Sequence, residues 1–78
     1  MLDLKQILTD IAKAIVDQPD SVTVAENANG NSVVLTLSVA EPDMGKVIGR
    51  NGRIAKAIRT VMKAAANADG KKVTVEIR

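Results

Sequence analysis

The 78 residues carry 11 Lys and Arg against 9 Asp and Glu, a net charge of +2, and include no cysteine, histidine or aromatic residue. The missing Cys excludes disulfides and thiolate metal sites, and the missing His removes the commonest metal ligand and the usual proton shuttle near neutral pH, so the inventory argues against an enzyme and against a bound cofactor. A chain of this length is expected to form one domain over residues 1–78, with a stability of only a few kcal/mol.

Leu4, Ile7, Leu8, Ile11, Ala12, Ile15 and Val16 recur at intervals of three and four, with Asp3, Lys5, Gln6, Asp10, Lys13 and Asp17 largely opposite. The spacing predicts an amphipathic helix of about four turns. Asp3 is its expected N-cap with Gln6 three residues on. Pro19 forces the stop near Gln18, because the residue before a proline is steered out of the helical region. The period then changes to two: Val22 and Val24 alternate with Ser21 and Thr23, and Val33, Leu35, Leu37 and Val39 with Ser32, Val34, Thr36 and Ser38. Two strands follow, joined at Asn29-Gly30, a pair that tolerates positive φ at both central positions of a type I′ hairpin turn. The second strand ends before Glu41-Pro42, since Pro42 donates no hydrogen bond and suits the first turn of a helix.

Met44, Val47 and Ile48 make a brief helical stripe that halts at Gly49, and a longer helix is expected from about Gly52 or Arg53. Its inner face is predicted to carry Ile54, Ala57, Ile58, Val61, Met62 and Ala65, and its polar face Arg53, Lys56, Arg59 or Thr60, and Lys63. It should fade between Asn67 and Gly70. Val73, Val75 and Ile77, alternating with Lys72, Thr74, Glu76 and Arg78, form a last strand. The order helix, strand, strand, helix, helix, strand predicts an α+β fold with helices on one face of a three-stranded mixed sheet. Its first two strands pair antiparallel, and the third returns after a long helical connection, which permits a parallel pairing. No apolar run approaches the roughly 18 to 20 residues needed to span a bilayer. Met1 to Gln18 mixes acids with Lys5 and Lys13, unlike a signal peptide, so a cytoplasmic location with no membrane partner is the default expectation.

Charge is distributed unevenly. Between Met44 and Lys63 lie six cations (Lys46, Arg50, Arg53, Lys56, Arg59, Lys63) and no acid, so this segment carries +6 and the remainder −4. At its centre is a four-residue loop bounded by glycines, Gly49-Arg50-Asn51-Gly52. Glycine permits a tight turn and, lacking Cβ, lets another chain approach the backbone. The amides of Gly52 and Arg53, at the mouth of the following helix, are expected to be unpaired and to favour an anion. Arg50 adds a fork of donors suited to phosphate, and Lys46, Arg53 and Lys56 raise the local potential. Val47, Ile48 and Ile54 are candidates for an apolar groove wall beside the loop. A Walker A loop is excluded, because Gly45 and Gly49 enclose three residues rather than four and Arg50-Asn51 follows. The dinucleotide fingerprint fails on spacing as well.

The run Val47-Ile48-Gly49-Arg50-Asn51-Gly52-Arg53-Ile54 resembles the I-G-x-x-G-x-x-I core of KH domains, whose GXXG loop clamps about four nucleotides of single-stranded RNA. The last Ile falls one residue early, at Ile54. The element order is similar to the type II KH arrangement (α-β-β-α-α-β) over essentially the whole chain. The segments Pro42 to Gly49 and Ile54 to Arg59 look most like the small stand-alone bacterial KH proteins of the KhpA family. The resemblance implies a clamp at Gly49 to Gly52, a groove at Ile48 and Ile54, and an electropositive rim at Lys46, Arg53 and Lys56. It also implies an RNA chaperone or post-transcriptional regulator that pairs with itself or with a larger Jag/KhpB-type protein.

Plainer readings stand beside these. On spacing alone a glycine-bounded turn is equally a connector. Arg59 and Lys63 suit a solvated face as well as an RNA contact, and Val47, Ile48 and Ile54 suit the core as well as a groove. Gly45 inside a helical stripe suggests close packing or backbone approach, and Glu41 and Asp43 suggest charge at a helix start. Without aromatics, base stacking of about 1–3 kcal/mol per base is unavailable, so affinity per domain should be weak. A protein-interaction or dimerisation adaptor with little RNA binding is the alternative.

Overall fold

The computed structural model describes residues 3–78, so residues 1 and 2 of the expected domain lie outside it. The elements follow the predicted order: α1 (Leu4–Ile15), β1 (Thr23–Asn29), β2 (Ser32–Ser38), α2 (Met44–Ile48), α3 (Arg53–Ala68) and β3 (Lys72–Ile77), with single 3-10 turns at Pro19–Ser21, Glu41–Asp43 and Arg50–Gly52. The sheet order is β1-β2-β3. β2 pairs antiparallel with β1, with Glu26 opposite Leu35, and parallel with β3, with Leu35 opposite Val75. The alternation of β2 turns Val33, Leu35 and Leu37 to one face, where α1 contributes Leu4, Leu8 and Ala12 and α3 contributes Ile58, Met62 and Ala66. Leu8, Leu35, Leu37, Val47 and Met62 are wholly buried. Truncating a buried Leu to Ala typically costs about 2–5 kcal/mol, comparable to the whole stability of a domain this small.

Three details depart from expectation. α1 is capped as predicted, the Asp3 carboxylate accepting the Gln6 N–H at 3.1 Å, but the Gln6 side chain turns to Asp10 at 2.8 Å instead of closing the capping box. The helix stops at Ile15, short of Gln18, and Val16 is already extended. Beyond it, the Asp17 and Gln18 N–H groups donate to the carboxylate of Asp43. A side-chain acceptor thus replaces the helical carbonyls.

The hairpin turn is shifted by one residue. Asn29 pairs with Ser32, leaving Gly30-Asn31 as the two-residue loop, and of the two only Gly30 has positive φ, at +62°. That is the φ pattern of a type II′ turn, with glycine first, not of type I′. Asn29 remains in the ladder.

The third departure bears on function. α3 begins at Arg53, and its residues turned to the core are Ala55, Ile58, Met62 and Ala66, with Ala65 half-buried. Ile54, Ala57 and Val61, predicted on the inner face, are exposed. The apolar stripe of α3 is wider than the sheet can cover, so one border packs down and the other is left over. The helix ends on a Schellman motif: Lys71 N–H donates to Ala66 C=O at 2.8 Å and Gly70 N–H to Asn67 C=O at 3.1 Å.

Candidate nucleic-acid interface

The loop between α2 and α3 has unusual backbone conformations at three of its four residues. Gly49 has φ +75° and ψ 177°, Asn51 φ +57° and ψ 27°, and Gly52 φ +73° and ψ 16°. The Gly49 conformation is essentially restricted to glycine. A Cβ there would also lie 2.6 Å from Ile54 Cγ1 and 2.9 Å from Ile54 Cβ. Asn51 and Gly52 sit in the left-handed region, which Asn tolerates better than most side chains. Nothing lies within 4 Å of a Cβ placed on Gly52, so that face of the loop is open.

The free amides are not those expected from the sequence. Gly52 N–H donates to Gly49 C=O at 3.2 Å and Arg53 N–H to Arg50 C=O, because the loop folds into a 3-10 turn and satisfies both internally. Arg50 and Asn51 N–H instead have no acceptor among the described residues. Two adjacent unpaired amides lie on a glycine-flanked turn with the Arg50 side chain exposed beside them, donors of the kind that backbone turns offer to anions.

The cations around this loop differ in what holds them. Arg50, Arg53 and Lys56 are exposed. The Lys46 ammonium, expected on the rim, is bound to the Asp17 carboxylate. That hydrogen bond, with the charges of Asp17 and Asp43, raises the Lys46 pKa above the usual lysine range, partly opposed by desolvation. The raised pKa keeps Lys46 protonated at neutral pH, and the contact weakens as pH climbs through that pKa. Arg59 is committed elsewhere, its Nε donating to the Val75 carbonyl at 3.2 Å on the outer edge of β3. Lys63 is exposed farther along α3.

The apolar residues expected in a groove separate as well. Val47 is wholly buried and belongs to the core, while Ile48 and Ile54 remain 38% and 40% exposed. Ile54 lines a cleft of about 430 Å³ between α1 and α3, with Ile11, Ile15, Arg53, Ala57 and Val61. The cause is the one-residue offset noted in the motif. The place at which KH domains carry the last Ile falls to Ala55, which is buried, and one residue is about 100° of helix, so Ile54 points toward α1. Gly45 shows no protein atom within 4 Å of a would-be Cβ, so close packing within the chain does not explain it.

Sequence reasoning missed Asp43. It is 1% exposed and makes no cap to α2; its carboxylate accepts the N–H groups of Asp17 at 3.3 Å and Gln18 at 3.0 Å. This joins the end of α1 to the start of α2 and so fixes the helix that leads into the loop. No local signal reveals it, because the partners are backbone groups 25 and 26 residues away.

A KH-domain family model described as KhpA/KhpB matches residues 5–77. The chain is 60% identical over 74 residues to an RNA-binding protein KhpA from Clostridium acetobutylicum, covering 95% of this chain and 99% of that one. It is 55% identical over the same length to the KhpA of Clostridium perfringens, with the same coverage. Among solved structures it resembles Era in complex with MgGDPNP and a 16S ribosomal RNA segment, with a TM-score of 0.67 and 22% identity. The likeness covers 95% of this chain but only 28% of that one. An Aquifex aeolicus Era variant bound to GDP·AlF4− matches with the same TM-score and identity. At that identity the Era likeness shows the fold alone.

Proposed function

The chain belongs to the KhpA/KhpB family of KH domains, and from that premise we propose that it binds single-stranded RNA through the loop Gly49 to Gly52. The observation that carries this reading is the pair of unpaired amides at Arg50 and Asn51 on an open, glycine-flanked turn. Phosphate oxygens accept from these amides and from the Arg50 guanidinium, while Arg53 and Lys56 hold the following stretch of backbone by charge. Ile48 and Ile54, exposed on either side of the loop, offer aliphatic surface to unstacked bases. Val47 supports the site from beneath. With about two to four phosphates neutralised, log affinity falls against log salt with a slope of roughly −1.5 to −3. The function is that of a non-catalytic RNA chaperone or post-transcriptional regulator acting in the cytoplasm. Among the described residues no helix is long and apolar enough to cross a membrane.

The test is to replace Arg50 and Asn51 together by Asp. Both side chains are exposed and Asp also tolerates the left-handed region, so the circular dichroism melt should not move while RNA binding is lost. RNA binding that survives the double substitution would reject the clamp.

The cleft between α1 and α3 supports a protein partner in addition. Ile15, Ile54 and Val61 are 37%, 40% and 51% exposed, and Arg53 is the one charged residue lining the cleft. A second copy of the chain is our proposed occupant, because a patch with so little charge to complement is well matched by itself about a twofold axis. Val61→Asp should then lower the mass in solution without abolishing RNA binding. A mass already monomeric before substitution leaves the face to a Jag/KhpB-type partner.

A further inference from the structure

We propose that Asp17 is a built-in competitor for the RNA backbone, its carboxylate occupying the Lys46 ammonium so that a phosphate must displace it before Lys46 joins the clamp. The inference rests on the RNA-binding reading above and adds a control on that same site.

Of the six cations between Met44 and Lys63, only Lys46 has an ion-pair partner among the described residues. The pair differs from two surface side chains that happen to meet. Asp17 is held in place by its own N–H, which donates to the buried Asp43 carboxylate together with the Gln18 N–H. Asp43 immediately precedes α2, and Lys46 lies within α2. One anchor therefore sets both the acid and the helix that bears the cation. Both partners stay within reach of an incoming strand, since the Lys46 and Asp17 side chains are 43% and 76% exposed. A carboxylate and a phosphate offer the ammonium the same kind of oxygen acceptor, and their like charges repel, so each weakens the other's hold on it. Binding at Lys46 is then an exchange of one anion for another. Exchange releases fewer counterions than a new contact, because Asp17 regains a cation from solution as Lys46 leaves it.

The test is a titration of a pool of short random-sequence single-stranded RNA with the full chain across a salt series. The proteins compared are the wild type, Asp17→Asn, Asp10→Asn, Lys46→Gln and the Asp17→Asn/Lys46→Gln double variant. Asp17→Asn should bind roughly two- to five-fold tighter at low salt, with a salt slope steeper by up to about 0.7. Asp10→Asn makes the same change in net charge at an acid bonded within its own helix, so it reports the long-range effect alone and should move affinity less. In the Lys46→Gln background, Asp17→Asn should gain nothing. Equal effects of the Asp17 and Asp10 substitutions, or a gain that persists without Lys46, overturn the proposal. Asn keeps the backbone N–H that Asp43 uses, so the fold should hold; should it not, Asp17→Ser keeps that amide and poses the same question. If the wild type binds and the Arg50/Asn51 double substitution abolishes binding while Asp17→Asn is inert, only the competitor falls. If the wild type binds no RNA, the clamp and its competitor fall together.

Discussion

Two of the turns that the chain makes on glycine, the β1-β2 hairpin and the loop between α2 and α3, differ in what surrounds them. At the β1-β2 hairpin, Gly30 takes φ +62° with nothing within 4 Å of a would-be Cβ, and the flanking Asn29 and Ser32 are paired across the ladder. At Gly49 to Gly52 the positive φ values are as large. That loop leaves two amides without acceptors, as the hairpin leaves those of Gly30 and Asn31, but it is packed against Ile54 on one side and lies beside the exposed Arg50, Arg53 and Lys56. The first turn joins two strands that already satisfy each other. The second joins two helices and sets its open amides beside exposed arginines, where we propose that a phosphate binds. Gly49→Ala should sharpen the contrast most, because it combines a conformation reserved for glycine with a collision against Ile54. We expect a loss of about 2–5 kcal/mol, read by urea denaturation followed by circular dichroism since the chain has no aromatic residue, together with loss of RNA binding.

Asp43→Ala should have the next largest effect. It strips the acceptor from two backbone N–H groups at a residue only 1% exposed, a loss of about 1–3 kcal/mol. Glu41, two residues away and exposed, is the control, and its change to Ala should stay within about 0.5 kcal/mol. A drop in stability shared equally by both would break the assignment of Asp43 as the tie between α1 and α2. Behind it comes Gly30→Ala, where only left-handed strain is at stake: about 1 kcal/mol, with RNA binding unchanged. A clear RNA defect from Gly30→Ala would erase the distinction between the two turns.

The same contrast explains what could be read from the sequence. Element order, the cap at Asp3 and the break at Gly49 were legible because each depends on local chemistry: an apolar period, an acid before a helix, a residue without Cβ. The frame of the hairpin was not, since Asn29-Gly30 and Gly30-Asn31 are both good turns and only the register of Val33 and Leu35 against β1 decides between them. The division of the α3 stripe was hidden too. Ile54 and Val61 have the period of core residues, and only the width of the sheet, with α1 alongside, leaves them outside. The basic segment was legible as a sum of charges, but not the capture of Lys46 by Asp17 or of Arg59 by the Val75 carbonyl. Those contacts join residues that only the fold brings together.

The smallest expected effect separates cations that serve the loop from those that only decorate the helix. Arg53 follows Gly52 directly, whereas Lys63 lies ten residues along α3, about 15 Å at 1.5 Å per residue. That exceeds the screening length of roughly 8 Å at physiological ionic strength, so Lys63 contributes little to a phosphate at the loop unless the strand itself runs down the helix. Arg53→Gln should therefore make the salt slope shallower by about 0.7 and Lys63→Gln should leave it nearly unchanged. Equal losses from the two would mean that RNA follows α3 through most of its length, and the clamp would then be one end of a longer track.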